Sequence, residues 1–271
     1  MKNPEIDQSE LSGVTQMILN LLGSFIIAFS MYSRIPIPQV EWTKERLRYA
    51  MCFFPLIGAV IGLLVMGAYS VCSSLDFLHF RQILPVILPI VITGGIHMDG
   101  FLDVIDAKSS HADRERKLEI LKDPHTGAFA IIGCGVYLLL YLAAFRELEP
   151  HMIPAYCMIF IMTRALSGLA VVTFPMAKTS GLAASFSGAA RKRTVGIVMA
   201  GYAAGAELGV WYLGGPVAAA AAFFVSLFVY GYYYTMAKRE FGGITGDLAG
   251  YFLQICELAL VAGLAVVSHW V

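Results

Sequence analysis

The stretch "ILPVILPIVITGGIHMDGFLDVIDAKSS", residues 83–110, passes from nearly pure hydrocarbon to three aspartates within one short reach of chain. Its first half, uncharged and rich in Ile, Leu and Val, has the composition of a helix in lipid. Its second half sets Asp99, Asp103 and Asp106 where the chain should be leaving that environment. On a helix turning about 100° per residue, the three carboxylates share an arc of about 60°. Phe101, Val104 and Ile105 point the other way. A membrane helix running into a strip of like charges is therefore the pattern from which the rest is read.

Composition extends the membrane reading to the whole chain. The 271 residues are 58% hydrophobic and 14% charged, with a mean hydropathy of +0.71, whereas a soluble domain carries about 25% charged residues. Candidate spans lie at about 15–33, 51–73, 83–97, 127–145, 152–173, 195–213, 216–236 and 251–270. A span needs roughly 20 mostly apolar residues. The third is short and ends in Gly94-Gly95, so a break or stop within the membrane is expected there. No polar interval is long enough for a separate soluble domain. The expectation is one all-α transmembrane domain over residues 1–271, with about eight helices in the lipid bilayer.

Several function classes drop out. The net charge is zero and no basic arm is present, so no nucleic-acid partner is expected. Cys52, Cys72, Cys134, Cys157 and Cys256 stand singly in apolar stretches, without zinc spacing, and read as packing residues. The N-terminal "MKNPEIDQSE" is acidic and polar, unlike the basic start of a signal peptide, so no cleavage is expected.

Lys and Arg alternate along the chain. Fifteen fall in the segments 34–50, 98–126, 174–194 and 237–250; the alternate ends and loops hold only Lys2, Arg81 and Arg146, and Arg164 lies inside a span. The positive-inside rule then makes those four segments cytoplasmic and both termini external. They also hold most of the unusual polar residues, which points to one cytoplasm-facing active site.

Like charges on one helix strip repel, and more so beside a low-dielectric region. The strip is either fully solvated or occupied by a cation. Hard oxygen ligands suit Mg²⁺ or Mn²⁺, which keep waters and share substrate phosphates. Ionisable groups at membrane depth mark function by default. His97 lies about 160° from Asp99 on a continuous helix and joins the site only if the helix breaks at Gly94-Gly95; a supporting or interfacial place is expected for it.

A metal between carboxylates and a phosphorylated substrate calls for cations. Arg34 in "YSRIPIP" sits at a span exit stiffened by Pro36 and Pro38, and Lys122 and His125 in "LKDPHTGAF" precede the fourth span. Arg164, deep in the fifth span, would be costly unpaired and suits bidentate pairing to a phosphate or a carboxylate. In "REFGGITGDLAG", residues 239–250, glycines including Gly243 and Gly246 let backbone N–H groups approach an anion, and Asp247 is available to a metal or hydroxyl. Neither nucleotide-binding glycine pattern, GxGxxG or GxxxxGK[ST], is present. Glu207 and Glu257 fall in spans, Gly201, Gly205 and Gly209 read as a packing seam, the Arg191–Arg193 run as an anchor, and Tyr230 and Tyr232–Tyr234 as an interfacial belt.

Together, "SRIPIP" (33–38), "FFPLIGAVIG" (53–62), "TGGIHMDGFLDVIDA" (93–107), "EILKDPHTGAFA" (119–130) and "GGITGDLAG" (242–250) resemble the cobalamin synthase family, the adenosylcobinamide-GDP ribazoletransferases, also called cobalamin 5′-phosphate synthases. The likeness runs in order over nearly the whole chain. One departure is Ala107-Lys108, where the family pattern has glycine after the third aspartate. The resemblance implies a multi-pass, Mg²⁺-dependent enzyme of the cytoplasmic (inner) membrane. It would join adenosylcobinamide-GDP to α-ribazole 5′-phosphate or α-ribazole, releasing GMP and completing the nucleotide loop of vitamin B12. A homo-oligomer or an assembly with other corrinoid-pathway enzymes is compatible with it. Asp99 and Asp103 are then expected as metal ligands and Asp106 as a further ligand or the general base. Lys122 and Asp247 join the catalytic set; Arg34, Lys122, Arg164, Gly243 and Gly246 are expected on phosphates.

Two rivals share part of the pattern. CDP-alcohol phosphotransferases place aspartates at helical spacing too, but their first aspartates are followed by Gly-x-x-Ala-Arg, and no such Ala-Arg pair occurs here. A secondary transporter would suit the glycine breaks and buried charges, yet no internal repeat is evident and the acids cluster at one end.

Overall fold

A computed structural model describes residues 13–178 and 181–270. These residues fold as helices: α1 (Gly13–Tyr32), α2 (Lys44–Ala50), α3 (Phe54–Ser74), α4 (Leu78–Thr93), α5 (Ile96–Ser109), α6 (Arg114–Ile120), α7 (Ala128–Arg146), α8 (Ile153–Thr173), α9 (Leu182–Ala189), α10 (Lys192–Met236) and α11 (Gly246–Ser268). A π-helical turn, Ala237–Phe241, closes α10. The described residues contain no strand, only one parallel bridge between Met176 and Ile244.

Six helical stretches are long and apolar enough to cross a membrane, or seven if α4 and α5, bent by 94°, count as one. The expected number was about eight; the count of six differs from it at α4, whose 16 residues fall short alone, and at α10, and the count of seven at α10 only. That helix has 45 residues and contains Gly215 in a non-helical conformation (φ 83°) followed by Pro216. Straight, it would run about 68 Å. Instead its first half packs back along α8: Gly168 lies against Met199, Gly209 against Met158, and Gly214 against Ala155. Its second half returns, so that the rings of Tyr230 (tilted) and Tyr234 (edge-on) lie 4.9 and 4.8 Å from that of Phe174, just past the end of α8. The chain therefore reverses at Gly215, where two of the expected spans meet.

Helix α8 is the axis of the bundle, buried along most of its length between α3, α10 and α11. The backbones of α3 and α8 meet at Gly58 and Gly62, where any side chain would strike the carbonyls of Phe160 and Cys157. Small residues allow such close van der Waals packing, which drives association where lipid removes the hydrophobic force. The expected seam at Gly201, Gly205 and Gly209 is only partly used, since Gly201 and Gly205 face no atom within 4 Å. Large apolar side chains such as Leu63, Leu139, Phe224 and Phe228 point outward, as a lipid-facing surface requires.

In α4, Pro85 and Pro89 lie inside the helix. Pro89 has no N–H for the carbonyl of Pro85, and the Tyr156 hydroxyl donates to that carbonyl instead (3.2 Å). The helix ends at Gly94 and Gly95, both left-handed (φ 66° and 80°). These two residues turn the chain through 94°, and we read α5 as lying across the end of the bundle, outside the spanning segments.

The four cationic segments gather at that same end. The Arg191 amide donates to the Arg48 carbonyl (3.2 Å), Lys178 Nζ to that of Leu118 (3.1 Å), and the Ile244 amide to that of Pro175 (2.8 Å). Lys108 and Lys117 grip Glu240 at 3.0 and 2.8 Å. The opposite end is plainer, with His269 beside Glu147 and Glu149.

Candidate active site

A cavity of about 500 Å³ opens at the end where these segments meet. Its charged wall carries Asp99, Lys122, Lys178 and Asp247, together with Thr245 and Gly246. Asp99 comes from the first turn of α5 and Asp247 from the first turn of α11. The two helices cross at Gly100, where a Cβ would lie 2.7 Å from the Asp247 Cα, and again at Gly250, where it would lie 2.8 Å from the His97 carbonyl oxygen. The absence of side chains at these crossings brings the "HMDG" and "TGDLAG" segments together.

The start of α11 is itself suited to an anion. Thr245 caps it by accepting from the Leu248 amide (3.2 Å) and donates to Asp247 Oδ2 (3.3 Å). The first amides of the helix, from Gly246 onward, have no acceptor within it, and the helix dipole favours negative charge there. Gly246 is exposed to the cavity, with nothing within 4 Å of where its Cβ would be.

The three aspartates of the strip have divided fates. Asp99 and Asp103 have no side-chain hydrogen bond or ion pair among the described residues. Burial, and then the charges of Asp99, Asp247 and Asp106, push the Asp103 carboxyl up to about 7. Asp106 is instead engaged: its Oδ2 accepts from the Gly127 amide (2.6 Å) and its Oδ1 from the Ala130 amide (2.8 Å). It thus caps α7 from a different helix, and both its oxygens are partly committed. The residue expected as a further metal ligand or the general base is thus engaged by the backbone of α7.

Other expectations are also corrected. Arg164 does not line the cavity; its Nη1 donates to Glu257 Oε1 (2.7 Å) in the bundle interior, and both side chains are 1% exposed. The costly buried guanidinium has found a carboxylate, not a phosphate. Gly243 is likewise used up structurally, its amide donating to the Ala237 carbonyl (3.1 Å) and its Cα pressed against residues 175–177. His125 is exposed; its amide donates to Asp123 Oδ1 (2.9 Å) and its ring Nδ1 lies 2.7 Å from the same oxygen, and these bonds, the amide's first, hold the Asp123 carboxyl below its usual value. Arg34 lies outside the cavity wall, its side chain folded over Gly94 and its amide donating to the Ile92 carbonyl (2.7 Å).

One cavity residue, Lys178, was not singled out from sequence, and another, His97, was given a lesser place. Lys178 shares the charged wall with Asp247; burial and the nearby Lys122 lower its pKa. His97 was expected in a supporting place, but it lines the same cavity as Asp99, because the space wraps around the first turn of α5.

No three His, Cys, Asp or Glu side chains among the described residues form a ready metal cage. Mg²⁺ does not demand one, since it is commonly held by one or two carboxylates plus waters and substrate phosphates. The unpartnered, mutually repelling oxygens of Asp99 and Asp103 suit such an ion in charge and hardness.

The family model for cobalamin-5-phosphate synthase matches residues 24–265. The chain is 49% identical over 249 residues to the adenosylcobinamide-GDP ribazoletransferase of Lachnoclostridium phytofermentans, covering 91% of this chain and 94% of the relative. It is 33% identical to the enzyme of that name from Desulfitobacterium hafniense (88% and 94% covered). It is 31% identical to that from Clostridium botulinum (88% and 95% covered). No solved structure matches the chain.

Proposed function

The chain belongs to the cobalamin-5-phosphate synthase family, and from that premise we infer the reaction that its cavity carries out. It is a transferase of cobalamin biosynthesis, joining adenosylcobinamide-GDP to α-ribazole or α-ribazole 5′-phosphate and releasing GMP. A ribose hydroxyl of the ribazole attacks the phosphorus that bears the cobinamide. The new P–O bond forms, the P–O bond to GMP breaks, and the hydroxyl proton passes to a carboxylate.

The observation that carries the assignment of residues is the meeting of Asp99 on α5 with Asp247 at the start of α11 on one cavity wall with Lys122 and Lys178, while Asp103, behind that wall, feels the charges of both acids. We assign Asp99 and Asp103 to hold Mg²⁺, which when bound would neutralise the diphosphate and stabilise charge developing on its oxygens. Asp247 accepts the hydroxyl proton. Lys122, Lys178 and the first amides of α11 bind the phosphoryl oxygens, preorganised so that little rearrangement is needed as the charge shifts. The gathering of all four cationic segments at this end supports a cytoplasmic orientation in the inner membrane, where both substrates are available.

The test is a reconstituted assay with adenosylcobinamide-GDP, α-ribazole phosphate and Mg²⁺, following GMP. Stoichiometric GMP and cobalamin phosphate are expected, with loss on chelation and recovery on adding Mg²⁺ back. Product formation that ignores the chelator would overturn the metal assignment, and absence of product under all conditions would overturn the reaction.

A further inference from the structure

His97 is 4% exposed, and neither Nδ1 nor Nε2 has a hydrogen-bond partner among the described residues. Leaving a buried donor or acceptor unsatisfied costs about 1–3 kcal/mol, so an orphaned imidazole calls for a reason. Its ring stacks on Tyr32 (6.0 Å between centroids, 16° between planes) and lies 5.7 Å from Phe54. All three rings border the cavity, and Met31, Phe186 and Leu253 continue the same apolar wall. The cavity is thus two-sided: charged toward Asp99, Asp247, Lys122 and Lys178, and flat, aromatic and aliphatic toward His97.

The chemistry of the two substrates decides what fits the apolar side. A cavity of about 500 Å³ suits one drug-sized ligand and cannot enclose a corrin macrocycle. Guanine needs acceptors for its ring and amino N–H groups as well as a donor for its carbonyl, and the apolar wall offers only the imidazole and the Tyr32 hydroxyl, which already donates to Met51 Sδ (3.9 Å). The dimethylbenzimidazole of ribazole is flat and apolar, carries ribose on one ring nitrogen, and keeps a lone pair on the other. A neutral histidine has one N–H to give.

We propose that the wall formed by His97, Tyr32 and Phe54 is the base pocket for ribazole, with a His97 ring N–H donating to the free nitrogen of the benzimidazole. His97 is then a specificity-determining residue, and the base it holds directs the ribose toward the charged side. This rests on the transferase reading above.

The test compares two acceptors at saturating adenosylcobinamide-GDP: the α-riboside of dimethylbenzimidazole, and the α-riboside of the matching indole, in which C–H replaces the free nitrogen. One neutral hydrogen bond corresponds to about tenfold in affinity. The wild-type full-length protein should therefore show a KM about tenfold lower for the benzimidazole. His97→Phe should raise that KM about tenfold, level the preference between the two acceptors and leave the KM for adenosylcobinamide-GDP unchanged. His97→Gln, which keeps an N–H donor, should restore part of the preference, and it decides the matter if the Phe variant does not fold. A wild type that treats both acceptors alike overturns the proposal, as does a His97 variant that weakens both substrates equally. GMP release from neither acceptor would instead count against the transferase reading itself.

Discussion

Two groups of charges sit in this molecule, and the protein treats them in opposite ways. In the bundle interior, Arg164 and Glu257 are both 1% exposed and meet at 2.7 Å, each answering the other. At the cationic end, Asp99, Asp103 and Asp247 crowd together, and no described side chain forms an ion pair with Asp99 or Asp103. A charge that the fold itself neutralises is part of the architecture. A charge the fold leaves unanswered is held for something that arrives. The two lie on adjoining helices, so the contrast reflects design of the site and not a difference of depth alone.

The largest expected effect comes from breaking the closed pair. Arg164→Met or Glu257→Leu alone leaves one charge buried without a partner, at a cost of about 3–5 kcal/mol. A large fall in thermal stability in detergent, with poor recovery of folded protein, is expected for each. The double variant should regain most of the stability and keep activity. A double variant that folds well but makes no product would show that Arg164 serves the phosphates after all, and the contrast would collapse.

Opening the other group should do the reverse. Asp99→Asn and Asp103→Asn remove repulsion, so folded protein should be at least as stable as wild type without Mg²⁺. Product formation should fall about 10²–10³-fold, the loss seen when a charge-stabilising group is removed from an active site. Loss of stability in step with loss of activity would mean that these acids, too, are architectural.

What could be read from the sequence follows from the range of the interactions. Apolar length, the alternating Lys and Arg, and the helical spacing of Asp99 and Asp103 are local patterns, and each points to the end of the bundle where the cavity opens. Pairings across long stretches of chain leave no such trace. Arg164 and Glu257 were both seen in spans, but 93 residues separate them and nothing local joins them. Asp106 shares the arc of Asp99, yet it caps a helix that begins just after Gly127, 21 residues later. Gly100 and Gly250 carried a usable signal, since glycine in a motif flanking charged residues often marks a close backbone approach. His97 was expected to join the site only if the helix broke at Gly94-Gly95; the chain turns there, and His97 lines the same cavity as Asp99.

Within the glycine segment the same division recurs on a smaller scale. At Gly243 a Cβ would lie 2.5 Å from the Pro175 carbonyl oxygen and 2.6 Å from the Ala177 nitrogen, whereas at Gly246 it would meet nothing within 4 Å. Gly243→Ala should therefore cost about 1–3 kcal/mol of stability, as overpacking does, visible as a lowered melting temperature. Gly246→Ala should leave stability alone and raise the KM for a phosphorylated substrate by narrowing the cavity. Equal loss of stability in both would remove the distinction.

The sharpest form of the comparison lies inside the aspartate strip, where one helix carries both kinds of charge. Asp106 accepts from the Gly127 and Ala130 amides at 2.6 and 2.8 Å, the work of a helix cap, and losing a cap costs about 0.5–2 kcal/mol. Asp106→Asn keeps one carbonyl oxygen for those amides, so its cost should fall at the lower end and Asp106→Ala at the upper. Activity per folded molecule should drop far less for either than for Asp99→Asn, because α7 frays at its start while the cavity acids stay in place. If Asp106→Asn instead abolishes product formation with its melting temperature unchanged, the three aspartates act as one metal-binding set. The two amide contacts would then serve to aim a third ligand, and the boundary between architecture and site would move one turn along α5.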